Sequence, residues 1–112
     1  MDPMRLFEFS PGEYSLSLDT GAATVRDVVD ELGHEPNGYF WEGVARWLVS
    51  TEAPALEGRF DYDSEAGMFC ANGTDSGALE ELGIRMSAVA TDGNRVRQLI
   101  ALAEADGFEF DD

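Results

Sequence analysis

The sequence predicts an α+β fold, in which an antiparallel sheet made of two hairpins packs against about four helices. Two pairs of short segments alternate apolar and polar residues, and turn-forming residues separate the members of each pair. Four further segments carry apolar residues at helical spacing. The resulting order, strand-strand-helix-helix occurring twice, excludes an all-parallel sheet because hairpins pair antiparallel. At 112 residues the chain, 1–112, is most simply a single domain.

The first predicted hairpin joins Met4–Phe9 to Glu13–Asp19 through a turn at Pro11 and Gly12. In the second of these strands the apolar residues fall on one face and the polar residues between them fall on the other. The apolar residues are Tyr14, Leu16 and Leu18. We therefore expect a hairpin with one face in the core.

Two helices are predicted after this hairpin. The first covers Val25–Leu32, with Thr24 as its cap and Gly33 as its stop. The second covers about Tyr39–Ser50, and Pro54 ends the helical pattern. The connecting segment HEPNG is predicted to be a loop, because proline disfavours helix at the preceding residue and Asn-Gly favours a turn.

A second hairpin and a third helix are predicted next. The hairpin joins Arg59–Asp63 to Met68–Ala71 through a loop that contains glycine. Alternation in its first strand turns the aromatic residues inward and the acidic residues outward. The helix runs through Ala78–Val89, with Asp75 or Ser76 as its cap.

The last predicted helix begins at Asp92, Gly93 and Asn94. Its apolar stripe consists of Val96, Leu99, Ile100 and Ala103. After it, Phe108 and Phe110 alternate with acidic residues, which is compatible with a short closing strand.

The stretch NGYFWEGVARWL, residues 37–48, holds both tryptophans of the chain. At about 100° per residue its large apolar side chains share one face, which favours a core-facing helix over a ligand-stacking surface. That face carries Phe40, Val44, Trp47 and Leu48, with Trp41 and Ala45 beside it. The opposite face carries Tyr39, Glu42, Gly43, Arg46 and Ser50. On that opposite face Glu42 and Arg46 form a favourable i,i+4 pair.

Charge is the strongest compositional signal. Asp and Glu total 23 against 7 basic residues, for a formal net charge of −16. This charge repels nucleic acid and anionic membranes, so we expect neither as a partner, and it accelerates encounter with a basic protein. Solubility alone is an alternative reason for such acidity, and the sequence leaves this choice open.

The cellular compartment is expected to be the cytoplasm. The N-terminus MDPMRLFEFSPGEY has neither the basic start nor the apolar stretch of a signal peptide. No apolar run approaches the roughly 18 to 20 residues of a membrane-spanning helix. Cys70 is the one cysteine, which excludes an intrachain disulfide, and its context MFCA is typical of an inert buried thiol.

No metal site, cofactor or catalytic centre is predicted. The run DYDSE, residues 61–65, superficially resembles a calcium loop, but Ala66 stands at the glycine position and Asn72 at the position of the final glutamate. His34 is the one histidine and lies in a loop that looks surface-exposed, so zinc and nucleophilic chemistry lack their partners. An enzyme that uses scattered carboxylates is therefore the least favoured function class.

Two blocks, NGYFWEGVARWL and FDYDSEAGMFCA, resemble the immunity protein 51 family of bacterial polymorphic toxin systems. The resemblance rests on G-Y-F-W-E-G-V-A in the helix and on the hairpin that ends in G-M-F-C-A. It implies a small α+β protein, encoded beside a secreted toxin, that binds and neutralises the toxin domain in the cytoplasm. It does not imply which toxin, because family members accompany varied toxins.

The functional hypothesis is stoichiometric inhibition of a basic toxin, for example a nuclease, through an acidic face with one or two aromatic anchors. The alternative is an acidic, non-catalytic regulatory or interaction domain with no toxin partner. The sequence leaves the oligomeric state open. The candidate partner-binding residues are Glu35, Asn37, Tyr39, Glu42, Asp61, Asp63 and Glu65.

Overall fold

The two predicted hairpins join into one antiparallel sheet in the computed structural model, which describes residues 1–110. The sheet order is β1-β2-β4-β3, so the second strand of each hairpin lies in the centre. Leu16 lies opposite Ala71 and Ser17 lies opposite Cys70 across the central pair. The strands are β1 (Arg5–Ser10), β2 (Glu13–Asp19), β3 (Asp61–Tyr62) and β4 (Met68–Gly73).

Four helices accompany the sheet, as predicted. They are α1 (Arg26–Glu31), α2 (Gly38–Glu52), α3 (Ser76–Ala90) and α4 (Gly93–Ala105). Helix α2 packs on β4 and helix α3 packs on β2, while α4 packs against α3 and α1. The fold is therefore α+β, with the sheet, the α2–α3 pair and the α4–α1 pair stacked in that order.

One face of the sheet belongs to the core. Leu16, Leu18, Phe69 and Ala71 are fully buried there beneath the helices. Because side chains alternate along a strand, the intervening residues point to the opposite side. We call this side the open face; it carries Arg5, Phe7, Phe9, Glu13, Ser15, Ser17, Asp61, Asp63, Met68, Cys70 and Asn72.

The aromatic helix is buried as its spacing predicts. Phe40, Trp41, Val44 and Leu48 have almost no exposed surface, and Trp47 is half-buried. The predicted stripe of α4 is buried as well. Apart from Ala103, these side chains belong to or pack against one apolar cluster that also contains the core-facing residues of β2 and β4.

Three helices begin at side-chain caps, which satisfy backbone N–H groups of the first turn. Asn37 accepts from Phe40 N at 2.9 Å, and Asp75 accepts from Ala78 N at 3.0 Å. Asp92 caps α4 in the same way. The predicted cap Thr24 is wrong: α1 starts later, after Val25, and the Thr24 hydroxyl donates to the Ala90 carbonyl instead.

The segment after α4 does not form the closing strand that alternation suggested. Gly107 adopts a positive φ of 80°, and Phe108 N donates to the Ala103 carbonyl, which ends the helix and redirects the chain. Phe108 then packs edge-on to Trp47, with ring centroids 5.5 Å apart. Asp111 and Asp112 lie outside the described residues.

The same segment corrects two further expectations. Phe110 covers Gly43, where a Cβ would lie 2.7 Å from the Phe110 ring. Gly43 is therefore buried, and the prediction that it faces solvent is wrong. His34 packs against both Phe40 and Phe110 and is largely buried, although its loop looked surface-exposed. Its Nε2 lies 3.3 Å from a Glu104 carboxylate oxygen.

Candidate partner-binding surface

The candidate residues form two groups on different elements. Glu35, Asn37, Tyr39 and Glu42 belong to the loop before α2 and its first turns. The other group consists of Asp61, Asp63 and Glu65 on the second hairpin.

Gly38 brings these two groups side by side. Its N–H donates to the Ala66 carbonyl at 2.9 Å. A Cβ at Gly38 would collide with the carbonyl oxygens of Glu65 and Met68. Only glycine permits this approach, so the first turn of α2 rests directly on the tip of the second hairpin.

The side chains of the first group differ in how far they are buried and hydrogen-bonded. Asn37 is half-buried, and its side-chain oxygen accepts the hydrogen bond that caps α2. Tyr39 is exposed on the first turn, as predicted. Asn37 therefore has a clear role in folding, while Tyr39 presents an aromatic surface to solvent.

Glu42 is already engaged within the chain. Its carboxylate accepts from Arg46 Nη2 at 3.1 Å and from Arg46 Nε at 3.3 Å, which confirms the predicted pair. Arg46 in turn lies over the Tyr62 ring, 4.5 Å from its centroid. Burial raises the pKa of the Tyr62 phenol to about 12 and outweighs the opposite effect of the Arg46 charge. This cluster is a second link between α2 and the hairpin.

The second group consists of exposed acids on an ordered backbone. Asp63 N donates to the Cys70 carbonyl at 2.9 Å, and Glu65 N donates to the Met68 carbonyl at 2.8 Å. Within residues 1–110, no basic side chain lies within ion-pair distance of Asp61, Asp63 or Glu65. The hairpin therefore presents three carboxylates whose charge no arginine neutralises.

Sequence reasoning did not select the exposed apolar residues of the open face. Phe7 is 47% exposed, Phe9 is 53% exposed and Met68 is 37% exposed. Phe9 lines a concavity of about 210 Å³ together with Glu13, Asp61 and Asn72. The available signal was MRLFEF itself, which places Phe7 and Phe9 on the face opposite Met4 and Leu6.

A larger concavity, of about 720 Å³, lies on the opposite side of the molecule beside α3. Its two arginines, Arg85 and Arg95, both contact the Glu52 carboxylate, at 3.1 and 3.5 Å. Among the described residues, no three His, Cys, Asp or Glu side chains are grouped as metal ligands would be. No helix in the described part of the chain is long and apolar enough to cross a membrane.

Comparison with known proteins gives one match. The model of a protein family described as Immunity protein 51 matches residues 4–105, a range that includes every strand and helix described above. No curated protein and no solved structure gives a significant match. The match covers far more of the chain than the two sequence blocks that resemble the family.

Proposed function

The chain belongs to the immunity protein 51 family, and on that premise we propose that it binds and neutralises a cognate secreted bacterial toxin domain. Neutralisation is stoichiometric: the chain covers a surface that the toxin needs. The complex forms in the cytoplasm of the cell that makes both proteins. The family match over residues 4–105 is the observation that carries this proposal, and it also suggests a non-enzymatic role.

Electrostatics supports a basic partner. The chain has a formal net charge of −16, and the second hairpin adds exposed carboxylates without basic neighbours. A field of this sign accelerates encounter with a positively charged protein and disfavours nucleic acid and anionic membranes. A nuclease fits this description, because a cleft that binds phosphate is itself basic.

The candidate contact residues support an acidic face beside an aromatic side chain. Asp61, Asp63 and Glu65 supply charge, and Tyr39 supplies an exposed ring on the adjoining turn of α2. Glu35 adds negative charge in the loop before α2, Glu42 on α2 is paired with Arg46, and Asn37 caps that helix. Rings of this kind commonly anchor protein interfaces.

Co-expression tests the proposed function. The gene for the C-terminal toxin domain of a neighbouring secreted protein is induced in a host with and without this chain. We expect growth arrest without the chain, full growth with it, and a one-to-one complex on purification. If no neighbouring secreted protein is rendered harmless, the immunity role is wrong and an acidic interaction domain without a toxin partner takes its place.

A further inference from the structure

We propose that the surface that contacts the toxin extends from Asp61 and Asp63 across the open face of the sheet. Phe7 and Phe9 are its aromatic anchors, and Asp61 and Asp63 form its acidic side. The occupant is a basic segment of the partner, rich in Lys or Arg, that lies across the sheet. This inference rests on the proposed function, because it takes the toxin as the partner.

Exposed apolar side chains concentrate on this face. Phe7, Phe9 and Met68 are three of the seven large apolar residues that are exposed in the described chain. Isolated apolar residues on a surface are ordinary, but neighbouring ones such as Phe7 and Phe9 mark an interaction site. Two phenylalanines on an edge strand also carry a risk of aggregation that a protein otherwise avoids.

The centre of the open face is a floor of small, buried side chains. Ser15, Ser17 and Cys70 are buried, although all helices of the described chain pack on the opposite side of the sheet. Two of them contact each other and a neighbouring amide: Ser15 Oγ lies 3.3 Å from Cys70 Sγ, which lies 3.4 Å from Asn72 Oδ1. A partner that covers this floor therefore leaves few polar groups without a hydrogen bond.

The sides of the face differ in chemistry. Phe7 and Phe9 stand on β1, whereas Asp61 stands on β3 and Asp63 directly follows that strand, at the two edges of the sheet. Three strand spacings separate these edges, or about 14 Å, which accommodates one helix or one extended segment. The aromatic side supplies apolar contact area and the acidic side selects positive charge.

Charge decides between the occupants of this face. A second copy of the chain would bring another net charge of −16 against the first, so self-association through the open face is opposed. A basic segment is attracted by the same field. Glu13 lies beside Phe9 and Asp61 and extends the acidic character to the aromatic end.

Paired variants test the proposal in the complex with the toxin domain. Phe7→Ala/Phe9→Ala removes the anchors, and Ile84→Ala/Leu102→Ala removes two apolar side chains of similar exposure, 54% and 58%, on α3 and α4. We expect the first pair to weaken binding about 30-fold or more, mainly through faster dissociation, and the second pair to change it less than about threefold.

Charge variants test the acidic side. Asp61→Asn/Asp63→Asn should slow association about tenfold at low salt, with a smaller effect at high salt, because exposed charges are screened. Glu80→Gln/Glu109→Gln removes the same charge elsewhere on the surface and serves as the matched control. Circular dichroism and thermal unfolding of each free variant establish that the fold is retained.

Hydrogen exchange of the unmodified chain supplies a readout that does not depend on variants. Binding of the toxin domain should protect amides of β1 and β3 rather than those of α3 and α4. Unchanged affinity in Phe7→Ala/Phe9→Ala, or protection elsewhere, overturns this inference while the immunity role stands. Absence of any complex overturns both. A dimer of the free chain that disperses on Phe7→Ala/Phe9→Ala assigns the face to a second copy and overturns the inference.

Discussion

Tyr62 connects the polar face of α2 to the second hairpin through a single ring. Glu42 orients Arg46, and the Arg46 guanidinium covers one side of the phenol ring. On the hairpin side, the Tyr62 ring lies edge-on to the Phe60 ring, with ring centroids 5.6 Å apart. The Tyr62 side chain is half-buried, and the loss of hydration opposes ionisation of its phenol group.

The titration of Tyr62 is therefore a residue-scale prediction. Burial raises its pKa from the ordinary value of 10.0 to about 12. The native state then holds the phenol proton more tightly than the unfolded state does. Stability from this group is complete below about pH 10 and is lost as the pH rises through about 12. The phenolate absorbance of wild type minus that of Tyr62→Phe should show a midpoint near 12.

A matched variant identifies the cause. Arg46→Gln removes the one charge that lowers the pKa of Tyr62, so its midpoint should rise further. Circular dichroism of the same samples defines the pH range in which the fold is intact. A Tyr62 midpoint near the ordinary value in folded protein would show that the ring is more hydrated than the structure indicates.

Single residues were predictable where the deciding neighbours are close in sequence. Asp75 was one of two caps predicted for α3, and Asp92 was predicted at the start of α4; each caps its helix through N–H groups two or three residues away. Gly43 and His34 were misplaced because Phe110, a residue distant in sequence, covers both. A helical wheel describes one helix and contains no information about a segment that packs on its polar side.

At the scale of elements, the contact between α2 and the second hairpin organises the candidate surface. The two backbones approach so closely at Gly38 that no side chain fits between them. The helix N-terminus is fixed at the same point by the Asn37 cap. The two sequence blocks that resemble the family therefore include the residues that hold these two elements together.

Gly38→Ala tests this contact. The added methyl group would collide with main-chain carbonyl groups of the hairpin, within 2.7 Å of the Met68 carbonyl carbon, and backbone cannot yield as a side chain can. We expect a loss of about 2–4 kcal/mol in the free energy of unfolding, measured with urea.

Gly77→Ala is the matched control. Gly77 lies in the first turn of α3, and the nearest atom to its added Cβ is an Asp75 carboxylate oxygen at 3.5 Å. Helix propensity alone then predicts no loss and a gain of up to about 1 kcal/mol. Equal stability of the two variants would mean that α2 and the hairpin tip are not in direct backbone contact.

The sequence predicted the positions of the strands and helices better than it predicted which elements pack together. Alternation and helical spacing located four strands and four helices, because each pattern is a property of one segment. The residues GFEF carried the same alternation but follow directly on α4, and Phe108 and Phe110 packed on α2 instead of on the sheet. Whether an alternating segment becomes a strand depends on the rest of the fold.

At the scale of the whole molecule, the arginines leave most of the acidity uncompensated. Arginines that lie within ion-pair distance of a carboxylate are Arg46, Arg59, Arg85, Arg95 and Arg97. The remaining carboxylates maintain the net charge of −16. Composition predicted this field, but the grouping of exposed phenylalanines with unpaired acids on the open face required the pairing of the strands.

The central claim is that the chain neutralises a toxin by binding it one to one, and titration of the toxin's activity tests that claim most directly. Purified chain is added in steps to a fixed amount of the cognate toxin domain, and residual activity is measured after each step. Activity should fall in proportion to the chain added and vanish at one chain per toxin. Activity that persists at excess chain, or that disappears with a small fraction of an equivalent, would contradict stoichiometric inhibition.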